Sequence, residues 1–159
     1  MLVVSLLIVM VIAGCAQSPV VDQGAEVAAV GPAHVLSEEG HEGKRVVWGG
    51  RIVAIENLAD VTEVTVVSYP LDRGDRPRLG SEPGVRFIVV ESGFLEPVQY
   101  APGRYVTVLG TVGDLEQRAV GEYIREHPVL HAERIHLWPA NPDQWQRRTR
   151  FSIGVGVRL

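Results

Sequence analysis

The residue with the clearest chemical potential is Cys15, the only cysteine in the 159-residue chain. A cysteine thiolate is a nucleophile and can accept a covalent group. A single cysteine forms neither an intramolecular disulfide nor a cysteine-based zinc site. The chemistry to consider first is therefore covalent modification of this thiol.

The segment before Cys15 is apolar, because residues 1–12 contain one polar side chain, Ser5. An apolar run of about 14 residues would be roughly 21 Å long as a helix, and a bilayer core is about 30 Å thick. The run is therefore too short to span a membrane comfortably, and it fits the apolar centre of a secretory signal. The alternative is a buried apolar helix that carries a free core cysteine.

The tetrapeptide Ile12-Ala13-Gly14-Cys15 resembles the lipobox of bacterial lipoproteins, in which an aliphatic residue and two small residues precede the cysteine. The resemblance implies cleavage before Cys15, S-diacylglycerol on its sulfur and an acyl chain on the new amine. One acyl chain binds a membrane only marginally, so three would anchor the chain firmly. Ala16 follows, where Asp favours inner-membrane retention in enteric lipoproteins. The sequence thus implies a lipid anchor at the outer membrane, on its periplasmic face.

Five histidines raise the question of a metal site. His131 and His136 are five residues apart, so on one strand their side chains would point to opposite faces. No His-x-x-x-His pair lies on a credible helix, and the sequence contains no nucleophile elbow, phosphate loop or dinucleotide fingerprint. The charged segment 72–78 (DRGDRPR) is typical of a solvated loop. We therefore expect no metal, no catalytic residues and no cofactor other than the lipid on Cys15.

Composition narrows the classes of partner. Hydrophobic residues make up 46% of the chain, which is enough for the core of one domain. The net charge is -4, and phosphate neutralisation needs a basic face. Only 6% of the residues are aromatic, which leaves a thin platform for base stacking. We expect no nucleic-acid partner; the expected partners are the membrane, an envelope protein or a second copy.

The chain divides into four parts. Residues 1–14 are the predicted signal peptide, and 15–43 the lipidated N-terminus with a flexible linker rich in small residues, Pro and Gly. Residues 44–139 form a β domain, and 140–159 a tail. Within the tail, 151–159 alternates apolar and small residues, which predicts an edge strand or, alternatively, a contact by strand addition. Five strands are predicted at 45–55, 61–69, 85–91, 104–112 and 129–138.

Five short strands favour a mainly β fold, a small OB-like barrel, with a small β-sandwich as the alternative. Gly49 and Gly50 inside the first strand predict a bulge or a sharp bend. Residues 92–103 fit a short helical or looped connector between the third and fourth strands.

Several segments of the β domain resemble the Slp family of outer-membrane lipoproteins, known as starvation-inducible. These segments are VWGGRI (47–52), EVTV (63–66), YPLD (69–72), RFI (86–88), GFLEP (93–97), GRYVTVLG (103–110) and IHLWP (135–139). The resemblance covers roughly residues 44–139 and implies a non-enzymatic envelope protein of stress or stationary phase. It supplies no catalytic residue, so Cys15 alone carries over as a functional position.

A binding module for a glycan, peptide or lipid is the alternative to an accessory role. Such a module would present a concave face lined by Trp48, Tyr69, Phe94 or Tyr100. A structural protein would instead bury these rings. An enzyme is the weakest hypothesis, because the sequence shows no acid/base pair or nucleophile.

Overall fold

The computed structural model describes residues 17–146. Cys15, the lipobox and the predicted edge strand at 151–159 lie outside the described residues. The elements in chain order are α1 (Pro32–Ser37), β1 (Arg45–Asn57), β2 (Val61–Ser68), β3 (Arg86–Ser92), β4 (Tyr105–Val120), β5 (Tyr123–Leu137) and α2 (Asp143–Gln146).

The five strands form one closed sheet in the order β1-β2-β3-β5-β4, which we call the barrel. Strand β1 is antiparallel to both β2 and β4, and so closes the sheet. Strands β3 and β5 pair in parallel over three positions. This order confirms the predicted mainly β, OB-like fold, and the alternative of a two-sheet sandwich is wrong.

Alternation along β2 places one face of that strand in the core inside the barrel. In β2 the residues Thr62, Val64, Val66 and Ser68 are buried, and their neighbours are only partly buried. Trp48 meets Phe87 edge to face, with the ring centroids 5.2 Å apart. Burying an apolar side chain of this size contributes about 1.5–3 kcal/mol.

Gly49 and Gly50 do not form the predicted bulge. Pairing of β1 with β4 is regular through both residues, and the register of β1 against β2 shifts later, between Ile52 and Ala54. A Cβ added to Gly50 would lie 1.9 Å from the carbonyl oxygen of Val67. Gly50 therefore lets two strand backbones approach closely, which is the other common reason for glycine in a strand.

The last two strands are longer than predicted. They continue to pair up to Val120 and Tyr123, so that residues 113–128 form a two-stranded extension, which we call the ribbon. Gly121, at φ +62°, starts its two-residue turn. The predicted strands stop at residue 112 and begin again at 129, but in the structure the register shifts between Val112 and Leu115 and the pairing resumes beyond it.

The two ends of the barrel are covered differently. At the end where β1 begins, Val35 of α1 joins the buried core. At the opposite end, residues 93–103 form the connector from β3 to β4, and Leu95 and Tyr100 pack against the core. The connector is a loop with one turn, in which Gln99 and Tyr100 donate backbone hydrogen bonds to the Glu96 carbonyl. The looped form of the predicted connector is thus the one observed.

The N-terminal segment 17–31 differs from the flexible linker predicted there, because it packs against the barrel, with Ala28 and Val30 in contact with the core. The Ala28 amide donates to the Arg45 carbonyl at 2.8 Å, and the Trp48 indole donates to the Val30 carbonyl at 2.6 Å. Arg134 and Asp22 form an ion pair at 2.7 Å, and Val20 is 1% exposed. We call residues 17–31 the strap. Among residues 17–146, no helix has the length and apolar character needed to cross a membrane.

Candidate functional site

The four aromatic residues of the hypothetical binding face do not share one exposed surface. Trp48 lies in the core, and Tyr100 packs against the core from the connector. Tyr69 is partly buried, with its ring centroid 6.0 Å from that of Tyr105. Phe94 is 70% exposed. The structure therefore separates a ring inside the barrel from a ring displayed at its surface.

An aromatic cluster that the sequence did not predict holds α2 against the barrel. Trp145 lies 5.7 Å from Tyr105 and 5.2 Å from Trp138, measured between ring centroids. The indole of Trp138 donates to the Thr107 hydroxyl, and that of Trp145 donates to the Pro139 carbonyl. Both indole donors are satisfied, which is typical of a structural cluster. No local sequence signal predicts it, because its rings come from three separate elements.

The predicted solvated loop at 72–78 is an ordered turn built around Asp72. Its carboxylate accepts hydrogen bonds from the Gly74 and Arg76 amides and from the Arg76 guanidinium. Burial alone would raise the pKa of Asp72, but the bonds from these backbone amides and the charge of Arg76 outweigh it and lower that pKa. Beside this turn lies a groove of about 500 Å³, lined in part by Arg78, Ser81 and Trp145.

The ribbon lies over the outer side of β2 and β3. Arg118 of the ribbon donates to both carboxylate oxygens of Glu63 on β2 and also pairs with Glu116. A shallow groove of about 220 Å³ remains between the ribbon and the sheet, bordered by Thr65, Ile88 and other residues. In OB folds the face of strands 2 and 3 commonly binds oligomeric ligands. Here the ribbon partly covers that face.

The connector presents a small apolar surface next to the β1–β2 turn. Leu58 in that turn and Phe94 and Val98 in the connector are 45%, 70% and 81% exposed. The Gly93 amide donates to the Asp60 carbonyl and so joins the two loops. We call Leu58, Phe94 and Val98 the apolar tip.

Buried polar groups hold the apolar tip in place. The Thr62 side chain is completely buried, and its hydroxyl is shared between the Gly93 carbonyl, the Asn57 side chain and the Leu95 amide. The Asn57 amide group donates to the Leu95 carbonyl at 3.1 Å. On the connector's other side, Arg104 donates to the Gln99 carbonyl at 2.8 Å. The loop that carries Phe94 is therefore fixed at both its ends.

Titratable side chains do not gather into a reactive site in the part of the chain that the structure describes. No group of three or more His, Cys, Asp or Glu residues there could hold a metal ion. His127 is buried, with Nδ1 3.1 Å from the Arg125 carbonyl oxygen. Burial lowers the pKa of His136, whose ring centroid lies 4.4 Å from that of Trp138. Burial also raises the pKa of Glu91. These shifts come from packing and not from paired catalytic groups.

Comparison with known proteins identifies the family. The family model described as the outer membrane lipoprotein Slp family matches residues 12–153, and thus includes Cys15. The chain belongs to the Slp family. The resemblance seen in the β-domain segments is thereby confirmed.

Three curated relatives align with the Slp-family chain over 96 residues each. It is 30% identical to the uncharacterized lipoprotein YeaY of Escherichia coli (strain K12), covering 60% of this chain and 49% of that protein. An uncharacterized protein of Haemophilus influenzae is 32% identical, with 60% and 52% covered. The outer membrane protein Slp of Escherichia coli (strain K12) is 26% identical, with 60% and 50% covered. The aligned part thus spans about half the length of these relatives.

One solved structure is also similar, the small single-stranded DNA-binding protein of Streptomyces coelicolor. It is 17% identical at a TM-score of 0.36, covering 62% of this chain and 96% of that one. At that TM-score, the likeness adds nothing to what the strand order itself establishes.

The Slp segments of this chain occupy architectural positions. VWGGRI lies in β1, where Trp48 fills the core and Gly50 allows close strand approach. GFLEP opens the connector, with Gly93 at φ +86° and Leu95 against the core. IHLWP ends β5 and brings Trp138 to the aromatic cluster. In these segments, Phe94 is the large apolar side chain that remains exposed to solvent.

Proposed function

We propose that this Slp-family protein is a non-enzymatic accessory lipoprotein, anchored through acyl chains on Cys15 to the periplasmic face of the outer membrane. The observation that carries the proposal is the family match from residue 12 onward, which includes the lipobox residues from Ile12 to Cys15. The acyl chains supply the membrane affinity, and the barrel supplies a rigid body at the surface.

The packing of the barrel supports a role through surface contacts. Its interior is filled by apolar side chains such as Trp48, Phe87 and Leu130, each at most 2% exposed. Ligand sites are usually concave pockets with convergent polar groups. The barrel interior leaves no such space among the described residues, because the gap beside Tyr100 and Ile135 is too small for a water molecule. Contact with the membrane, an envelope protein or a second copy then takes place on the outside.

Mass spectrometry of the mature N-terminus tests the anchor directly. We expect the wild-type chain to begin at Cys15, to carry diacylglycerol and N-acyl groups, and to sediment with outer membranes. Cys15→Ala should leave an unprocessed precursor, and Ser18→Ala serves as the matched control that keeps the lipobox. Ala16→Asp should move the lipidated protein toward the inner membrane. An unlipidated wild-type chain that still begins at Met1 would refute the proposal.

A periplasmic binding module remains the second candidate function, and the groove beside Trp145 is the observation that favours it. Arg76 and Arg78 border this groove and could contact an anionic glycan. A uronic-acid hexasaccharide is a suitable probe, because binding there should change tryptophan emission. Arg78→Ser should abolish the change, whereas Arg73→Ser, an exposed change in the same loop, should not. Unchanged wild-type emission at saturating hexasaccharide would count against this candidate.

A further inference from the structure

The apolar tip is the surface of this protein whose exposure most needs an explanation. Phe94 and Val98 are the two most exposed large apolar side chains of the described residues. They stand on a loop that is fixed by the buried Thr62 and by Arg104. A side chain displayed on an ordered loop loses little conformational entropy when it binds, so the arrangement is prepared for contact.

The strap determines how far the barrel can lie from an anchored Cys15. Val20, which is buried, is the fifth residue after Cys15, so the two Cα atoms are at most about 18 Å apart. Had the whole segment 15–43 been a free linker, the barrel could move far from the bilayer. Because the strap packs on the barrel, an anchored Cys15 holds the barrel beside the membrane surface.

The strap leaves an anchored Cys15 within reach of the end of the barrel that carries the apolar tip. Ala28 of the strap contacts Arg45 on β1, and Val20, nearer the N-terminus, contacts Arg134 on β5. From Arg134, four residues of extended chain, or about 13 Å, lead to Trp138. The Trp138 carbonyl accepts a hydrogen bond from Arg104, which also holds the connector. Cys15 can thus reach the level of the connector.

We propose that the apolar tip inserts into the headgroup region of the bilayer to which the chain is anchored. This inference rests on the proposed lipid anchor, and it adds a defined orientation of the barrel. The occupant is a phospholipid surface of low negative charge, because Asp60 and Glu96 are exposed beside the tip. Segments 52–62 and 89–99 contain no Lys or Arg, so anionic headgroups would be repelled there.

The experiment uses the full-length lipidated protein in phosphatidylcholine vesicles. Because the sulfur of Cys15 carries lipid, Phe94→Cys introduces the only free thiol, which is labelled with an environment-sensitive dye. We expect a blue shift of the dye on reconstitution and a loss of its emission when nitroxide-labelled lipid is included. Val98→Cys should behave in the same way. Glu39→Cys, exposed near the opposite end of β1, is the matched control and should report water.

Vesicle flotation separates failure of the inference from failure of the proposed function. If the protein floats with vesicles but dyes at 94 and 98 report water, the anchor holds and the insertion is overturned. Equal quenching at positions 39 and 94 would overturn the orientation. If the processed wild-type chain does not float, the lipid anchor fails and the inference fails with it. A smaller blue shift after addition of phosphatidylglycerol would support the role of the acidic rim.

Discussion

A methyl group added at Gly50 should weaken the closure of the barrel. In Gly50→Ala the new Cβ would lie 1.9 Å from the Val67 carbonyl oxygen, whereas Cβ contacts below 3.0 Å are essentially never seen. Strands β1 and β2 must therefore separate by about 1 Å at this point. Gly50 pairs with Ser68 on one side and Val106 on the other, so the displacement disturbs both neighbours. Overpacking typically costs about 1–3 kcal/mol, and more where backbone atoms must move.

We therefore expect Gly50→Ala to lower the free energy of unfolding by about 4 kcal/mol, a large part of the 5–15 kcal/mol that is usual for a domain. With a urea dependence of about 2 kcal/mol per molar, the midpoint should fall by about 2 M. Tryptophan emission of the detergent-solubilised full chain measures it, since Trp48, Trp138 and Trp145 are buried. Gly80→Ala is the control, because its Cβ would meet open space. Equal midpoints for wild type, Gly50→Ala and Gly80→Ala would refute the close-approach argument.

Three further changes test the contacts that hold the connector, the strap and the aromatic cluster. Thr62→Val keeps the side-chain shape but leaves buried groups of the connector without partners, so the free energy of unfolding, measured by thermal denaturation, should fall by about 2–3 kcal/mol. An unchanged melting temperature would contradict the role of the Thr62 hydroxyl in holding the connector. Trp48→Phe removes the indole that donates to the Val30 carbonyl, so the strap should loosen and a Glu-specific protease should cleave at Glu26 faster than in the wild type. An unchanged cleavage rate would show that other contacts hold the strap. Burial lowers the pKa of His136 below its ordinary value near 6.5, so the folded state favours the neutral ring. The stability that the neutral His136 ring contributes to the folded state is fully present above the ordinary pKa near 6.5 and is lost as the pH falls through the lowered pKa. In His136→Gln the free energy of unfolding should therefore fall less between pH 7 and pH 5 than in the wild type. Parallel plots of this free energy against pH for the two proteins would argue against a lowered pKa of His136.

Strand periodicity predicted β2 best, because β2 has one buried face, whereas β3, β4 and β5 each bury runs of consecutive residues. Val61–Ser68 alternates over its whole length, and the predicted and observed strands differ there by one residue. Five short strands favoured a small OB-like barrel but left a β-sandwich open, and only the observed strand order decides between them. The Gly49-Gly50 pair was correctly singled out, but a bulge and a close backbone approach produce the same sequence signal.

The ribbon and the strap could not be predicted, because neither shows a regular apolar periodicity in its sequence. The ribbon is largely polar, and the pairing of its strands depends on the turn at Gly121 and on the Arg118–Glu63 contact, which joins residues 55 positions apart. The strap reads locally as a linker, since Pro, Gly and small residues dominate it. Its order comes from long-range partners, Trp48 and Arg134, whose positions only the folded barrel defines.

The barrel alone does not reveal the function, because the residues that build it are explained by packing. The residues that identify the family build the strands, fill the interior and brace the connector, so their types follow from packing. The ribbon lies over the outer side of β2 and β3, and the strap lies along β1 and β5. Selection for stability explains Leu95, which is partly buried against the core, but it does not explain the exposed Phe94 beside it, where a polar side chain would make the protein more soluble. Phe94 contributes nothing to the core and yet stands on a loop held by the buried Thr62 and by Arg104, so it is best explained by what it contacts outside the barrel.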